Sequence, residues 1–235
     1  SFENDKHLSA NLSLLSEHLP RTGISQIEYM EEPDGIVWVR LTNGNLVSFT
    51  YKRDEEVVSW QTQTLGGTNV SIESLAAIPS IDGKSNTLYM IVKRTINSAT
   101  KRYVEFLEER FEPSSATDKD DAFLVDSGAT YSGSPTSTIT GLSHLEGEVV
   151  QILADGAAHP DKTVSSGQIV LDRNASKVQV GLKYTSTLIT LPIEVATPTG
   201  TSQGKKKRIA QLLVRLYSSL GGKFGQDSNN LDRFL

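Results

Sequence analysis

At 235 residues, with a formal net charge of −5 and no cysteine, the chain is long enough for one large core or two modest ones, and two modules are expected. The missing cysteine excludes disulfides and thiolate metal sites, and the mild acidity argues against a protein that coats nucleic acid over its whole surface. No apolar run approaches the ~18 to 20 residues of a membrane-crossing helix, and the opening residues lack the regions of a signal peptide.

The sequence starts at Ser1, and a piece of a longer polypeptide is expected. Leu8, Leu12, Leu15 and Leu19 recur at helical spacing, with Ser9 as a cap and Pro20 as a stop. That spacing predicts a short amphipathic helix over 9–19. A strand over 24–30 follows, and Pro33, Asp34 and Gly35 turn the chain into two alternating runs, 35–41 and 46–51, joined by Asn43-Gly44. Residues 57–63 give a further strand, ended by Gly66-Gly67.

Residues 70–78, 87–95 and 101–107 form a second meander, with a turn at Asp82-Gly83. Two such units in succession look like blades of a propeller. Trp38 and Trp60 are expected to be core anchors near one seam between blades.

Charge and the Pro113-Ser114-Ser115 turn interrupt the pattern at 108–121, which places a domain boundary between about 110 and 121. A short strand is expected at 122–128. The Ser/Thr/Gly-rich stretch 129–140 then reads as an exposed loop. Short strands follow at 138–140, 148–154, 157–164, 168–171, 177–182 and 185–194, with turns at Asp155-Gly156 and Ser166-Gly167. They suit a small barrel or sandwich, with Pro192 on an edge or at a bulge.

After a polar linker at 198–204, residues 205–222 fit two periods. Ile209, Leu212, Leu213, Leu216 and Leu220 make a helical face closed by Gly221, while Ala210, Leu212, Val214 and Leu216 alternate as in a strand. Periodicity alone favours the helix. The last residues, 226–235, read as a polar tail.

Motifs for catalysis mostly fail. Around Ser143, Leu145 stands where a nucleophile elbow needs glycine; before Gly83-Lys84-Ser85, Ile78 stands where a phosphate loop needs it. Counting from Asp118, Phe123 and Ala129 occupy the positions a calcium loop reserves for Gly and Glu. His7, His18, His144 and His159 are too scattered for a zinc pair. No enzyme activity, metal or cofactor is therefore expected. The three Asn-x-Ser triplets, at Asn11, Asn69 and Asn174, read as chance occurrences. The one concentrated cationic feature is Lys205, Lys206, Lys207 and Arg208, either a solvated linker end or a contact for nucleic acid or an acidic neighbour.

Several stretches, taken in order, resemble the tail nozzle proteins of short-tailed bacteriophages, the tail tubular protein B family. They are Ser1 to Lys6 with the segment to His18, Ile36 through Lys52, and Glu55 through Trp60. Gly67 to Ile78, Leu88 to Arg94 and Lys101 to Leu107 continue the match, and Phe123 to Gly128, Ile139 to Gly156 and Val214 to Gly222 complete it. The resemblance implies a mainly β fold: a partial propeller-like module over 1–112 with one short N-terminal helix, to which 205–225 returns with 208–217 as a strand. It also implies an inserted small barrel or sandwich over 113–204.

The function implied is that of a structural subunit of the virion tail, a homo-hexamer in the full-length protein. It would adjoin tail adaptor and tail fibre or spike proteins, with DNA passing through its channel without specific binding and no membrane engaged. A mildly acidic chain suits such a channel, because each cationic contact to phosphate would slow DNA exit. The alternatives are a carbohydrate-binding or host-recognition module, with 129–140 as the glycan loop, or a propeller-type glycan hydrolase.

Overall fold

The computed structural model describes residues 2–3, 6–7, 11–81, 83–112, 118–194, 201–202, 204, 206–216 and 222–233. The fold is mainly β and antiparallel throughout. Its contacts divide the chain into two compact units, Ser1–Thr187 and Leu188–Leu235.

In the first unit the short strands β1 (Phe2–Glu3) and β2 (Lys6–His7) pair with each other. The expected helix over 9–19 does not form. Residues 11–19 run as turns into one 3-10 turn at Pro20–Thr22, while positions 9 and 10 lie outside the described residues. A helix this short is marginal in water, and Leu14 and Leu15 remain exposed instead of meeting an apolar surface. The Asn11 side chain also competes, accepting hydrogen bonds from Ser13 N at 3.0 Å and Ser13 Oγ at 2.9 Å.

The first sheet is a four-stranded meander of β3 (Ile24–Met30), β4 (Ile36–Leu41), β5 (Leu46–Lys52) and β6 (Val57–Gln63), in that order. Asn43-Gly44 makes the hairpin, as its chemistry predicts: Gly44 has φ +83°, and Asn43 Oδ1 accepts from Asn45 N at 3.0 Å. The second sheet holds β7 (Thr68–Pro79), β8 (Asn86–Ile96) and β9 (Ala99–Phe106).

Met30, Trp38 and Leu46 from the first sheet bury against Ile72, Leu75, Leu88, Met90 and Val92 of the second. Side chains tie the two sheets as well. The Gln26 amide accepts from Leu75 N at 3.0 Å and donates to Leu75 O at 2.6 Å, beside the register shift between Ile72 and Ser74 in β7.

The expectation that Trp38 and Trp60 share a seam is corrected. Trp38 lies opposite Ser48, and Trp60 lies opposite Phe49, one position along β5. Successive rungs present opposite faces, so Trp38 points to the second sheet and Trp60 away from it. Trp60 packs on Phe49 at 4.4 Å between ring centroids, tilted by 32°, and on the cluster of Val39, Leu41 and Val47.

The third sheet has the order β10-β13-β11-β12, built from β10 (Asp126–Ile139), β11 (Val149–Ala154), β12 (Ala157–Thr163) and β13 (Ile169–Leu182). It is an open sheet, so of the small barrel or sandwich expected, no closed barrel forms among the described residues. Two 14-residue strands, β10 and β13, pair with three register shifts around a core that includes Leu142, Leu145, Val150, Val178 and Val180. The stretch 129–140, read as a loop, is therefore mostly strand: pairing with β13 overrides its loop-like composition, and Tyr131 packs on the core. Two tight turns behave as predicted, with positive φ at both Asp155 and Gly156 and at both Ser166 and Gly167.

No strand forms over the described residues 185–194, whose expected strand finds no partner. In the second unit, 206–216 is neither helix nor strand and every residue is exposed, which corrects the strand expected over 208–217. Its apolar positions serve two periods equally, and an alternating segment becomes a strand only where a neighbour takes its backbone groups. Residues 205 and 217–221 lie outside the described residues. The polar end, read as a tail, forms a hairpin of β14 (Lys223–Asp227) and β15 (Asn230–Arg233), because Asp227 Oδ1 accepts from Asn229 N at 2.8 Å and Asn230 N at 3.1 Å.

Candidate functional site

Strand β8 alternates, and its inward positions read Leu88, Met90, Val92, Arg94 and Ile96. A cation thus sits in an apolar phase. Arg94 is fully buried, donating from Nε to Gly66 O at 2.9 Å and from Nη1 to the Glu105 carboxylate on β9. Its Nη2 has no partner among the described residues. A buried guanidinium is tolerable only because it is paired and hydrogen-bonded.

Gly66 connects this pair to the third sheet. Its N–H donates to the Asp126 carboxylate at the start of β10. A Cβ at this glycine would stand 2.5 Å from Lys183 O, so only glycine lets the 64–67 loop approach so closely. Burial pushes the Asp126 carboxyl above its ordinary range, partly offset by the Gly66 amide and by Arg94. Burial raises the Tyr184 hydroxyl too, reinforced by the charge of Asp126.

Glu105, Asp126 and Tyr184 line a cleft of 520 Å³ within the first unit. Trp38, Leu46 and Met90 contribute apolar lining, and the aromatic residues Phe123 and Tyr184 border it. Glu105, Glu108, Glu109 and Asp126 supply carboxyl groups. Trp38 is only 5% exposed, yet its indole Nε1 has no partner among the described residues. Tyr103 also lines the cleft and donates its hydroxyl to His144 O at 2.7 Å. Burial raises the Tyr103 hydroxyl, helped by Glu105. His144 Nε2 stands 2.8 Å from Ser127 O; a carbonyl only accepts, so this nitrogen carries the proton. The site offers donors, acceptors and aromatic faces, while its one histidine is held by backbone carbonyl contact.

The residues singled out from sequence lie elsewhere, apart from Trp38 and His144. Lys206, Lys207 and Arg208 are exposed in the second unit, and the Lys207 ammonium bonds Ile193 O; Lys205 is outside the described residues. The Asp118–Asp121 stretch forms a 3-10 turn in which Asp121 pairs with Lys177. His159 is buried and accepts from Asp172 N at 2.9 Å through Nε2, so it serves the β12–β13 junction. His18 is exposed. Among the described residues no group of three His, Cys, Asp or Glu could hold a metal, and no helix is long and apolar enough to cross a membrane.

Sequence reading missed Arg94, Glu105 and Asp126. A charged residue in the buried phase of a strand was the available signal for the first. The chain matches no family model and no curated protein.

Proposed function

We propose that the chain is a structural subunit of the tail nozzle of a short-tailed bacteriophage, part of the tube through which DNA leaves. The ordered resemblance described above supports the reading. The observation that carries it is the arrangement of the first two sheets. They bury one face each against the other, and both outer faces carry exposed apolar side chains. Ile27, Tyr29, Tyr51 and Val58 are exposed on the outer side of the first sheet, and Ile78, Tyr89, Ile91, Val104 and Phe106 on that of the second. Exposed apolar side chains gathered on a sheet face suit a surface that other protein covers. Successive sheets covered on both sides are what a propeller within a larger assembly requires.

The test is immunogold electron microscopy of phage particles with antibodies to this chain, together with sizing of the full-length protein. The expected result is label at the tail and a six-fold ring. Label confined to the capsid, or a full-length protein that stays monomeric and is missing from particles, would overturn the reading.

A further inference from the structure

We infer that residues 206–216 bind an anionic lipid surface, on which they fold as a short amphipathic helix. This does not rest on the nozzle reading, whose resemblance implies no membrane contact. The whole segment is exposed and lies in neither helix nor strand, with Leu213 83% exposed beside Ile209, Leu212, Val214 and Leu216. The same segment carries Lys206, Lys207, Arg208 and Arg215. The Lys207 ammonium bonds Ile193 O, while Lys206, Arg208 and Arg215 enter no ion pair among the described residues. Residues 188–235 hold seven basic side chains against Glu194, Asp227 and Asp232, a net of +4 in a chain whose total is −5.

The distribution of these side chains selects the partner. Wound as a helix, Lys207, Arg208, Gln211 and Arg215 share one sector of about 100°, and Lys206 lies at the end of the segment. Ile209, Leu212, Leu213 and Leu216 centre the other side, with Ala210 and Val214 at its margin, so that side spans more than half the circumference. DNA would answer the cations and leave the apolar side in water. A groove on an acidic protein takes a narrower stripe. A bilayer interface accepts a broad apolar side and holds cations at its headgroups. It also decides between the two periods of the segment, because away from water a lone strand leaves its backbone groups unpaired and a helix pairs its own. A helix over 206–216 is about 16 Å long, too short for the ~30 Å hydrocarbon layer, so it lies on the surface. Leu188, Ile189, Leu191 and Ile193 of the same unit are exposed too, in a run without charge.

The experiment is flotation of the full chain with vesicles of phosphatidylcholine alone and of an equal mixture of phosphatidylcholine and phosphatidylglycerol. Binding to the mixed vesicles is expected, weak on phosphatidylcholine and reduced by added salt. Arg208→Gln should weaken it about fivefold, the effect of one cation near an anionic surface. Leu213→Asp should weaken it at least about tenfold, the effect of losing one buried leucine. Ile81→Asp, at an exposed turn of the first unit, should leave it unchanged. Because the chain has no cysteine, a polarity-sensitive dye can be attached to single introduced thiols. On mixed vesicles the dye at Leu212→Cys, Leu213→Cys or Leu216→Cys should shift to shorter wavelength, and at Gln211→Cys or Arg215→Cys it should not. Absence of flotation with the mixed vesicles would overturn the inference, as would equal binding to both kinds. So would a dye response that is uniform at every position or that separates Leu212→Cys from Leu213→Cys. Retention on DNA without flotation would assign the cations to nucleic acid and overturn it as well.

Discussion

Trp38 and Trp60 belong to one sheet, one rung apart, and their indoles serve opposite sides of it. The Trp60 Nε1–H donates to Leu12 O at 3.0 Å, tying residues 11–19 to the sheet that precedes the rest of the fold. Trp38 lines the cleft, and its buried Nε1–H has no protein partner among the described residues. Equal residues one position apart thus divide between anchoring a non-helical segment and equipping a cavity.

Trp60→Phe should therefore loosen the segment it holds. Loss of the indole bond to Leu12 is worth about 0.5–1.5 kcal/mol. Urea denaturation should show a decrease of that order, and limited proteolysis should cut sooner between positions 11 and 19. Unchanged cleavage would mean that the segment is held by something other than this bond.

Gly44 does two jobs in the first hairpin. It adopts φ +83°, and its carbonyl accepts from Ile72 N at 2.8 Å on the second sheet. A Cβ there would stand 2.7 Å from the Ser71 Cβ. Gly44→Ala should cost roughly 1–3 kcal/mol from backbone strain before the clash with Ser71 is counted. Thermal unfolding would measure it, and the double change with Ser71→Gly should recover part of the loss. A Gly44→Ala protein as stable as the parent would refute the close approach.

The meanders of the first two sheets were legible because their signals are local: alternation along each strand, Asn-Gly at a turn, Gly-Gly at an end. The third sheet was legible in its short strands and turns but not in its edge, because Thr130 and Thr136 read as loop until β13 pairs with them. The leucines at 8, 12, 15 and 19 carried a helical period with no surface to receive it, and Leu15 ends 94% exposed. Asp227 to Asn230 held a turn signal that the polar composition concealed. The cleft was the least legible feature, since Gly66, Arg94, Glu105 and Asp126 meet only through tertiary contact across up to 60 residues of sequence.

Arg94 and Glu105 should show the asymmetry of a buried ion pair. Glu105→Ala leaves the guanidinium buried without its counter-charge, and breaking a pair in this way typically costs about 3–5 kcal/mol. Replacing both, Arg94→Met with Glu105→Leu, removes the charge together with its need for a partner. The double variant should be markedly more stable than Glu105→Ala in urea denaturation. If the double variant were the weaker of the two, the bond from Arg94 to Gly66 O would be the dominant contribution.

Asp126 sets a pH dependence whose sign is fixed by its burial. Its carboxyl is pushed above the ordinary value of 3.8, so the fold prefers the protonated form. The stability this group contributes is fully present below 3.8 and is lost as pH rises through its raised folded value. At neutral pH the carboxylate is held in place against the cost of burying its charge. Asp126→Asn keeps an oxygen to accept the Gly66 N–H and removes the titration. The variant should be at least as stable as the parent at neutral pH, and its relative advantage should shrink in acid. Asp155, Asp172 and Glu73, whose values are lowered by backbone amides of Lys177 and Ser176, by Lys162 and by Arg102 respectively, lose their contributions in acid in both proteins. Those losses cancel in the comparison. Urea denaturation of parent and variant across the acid range measures the difference directly. A variant clearly weaker at neutral pH would show that attraction to Arg94 and the charge-assisted bond from Gly66 outweigh the burial of Asp126.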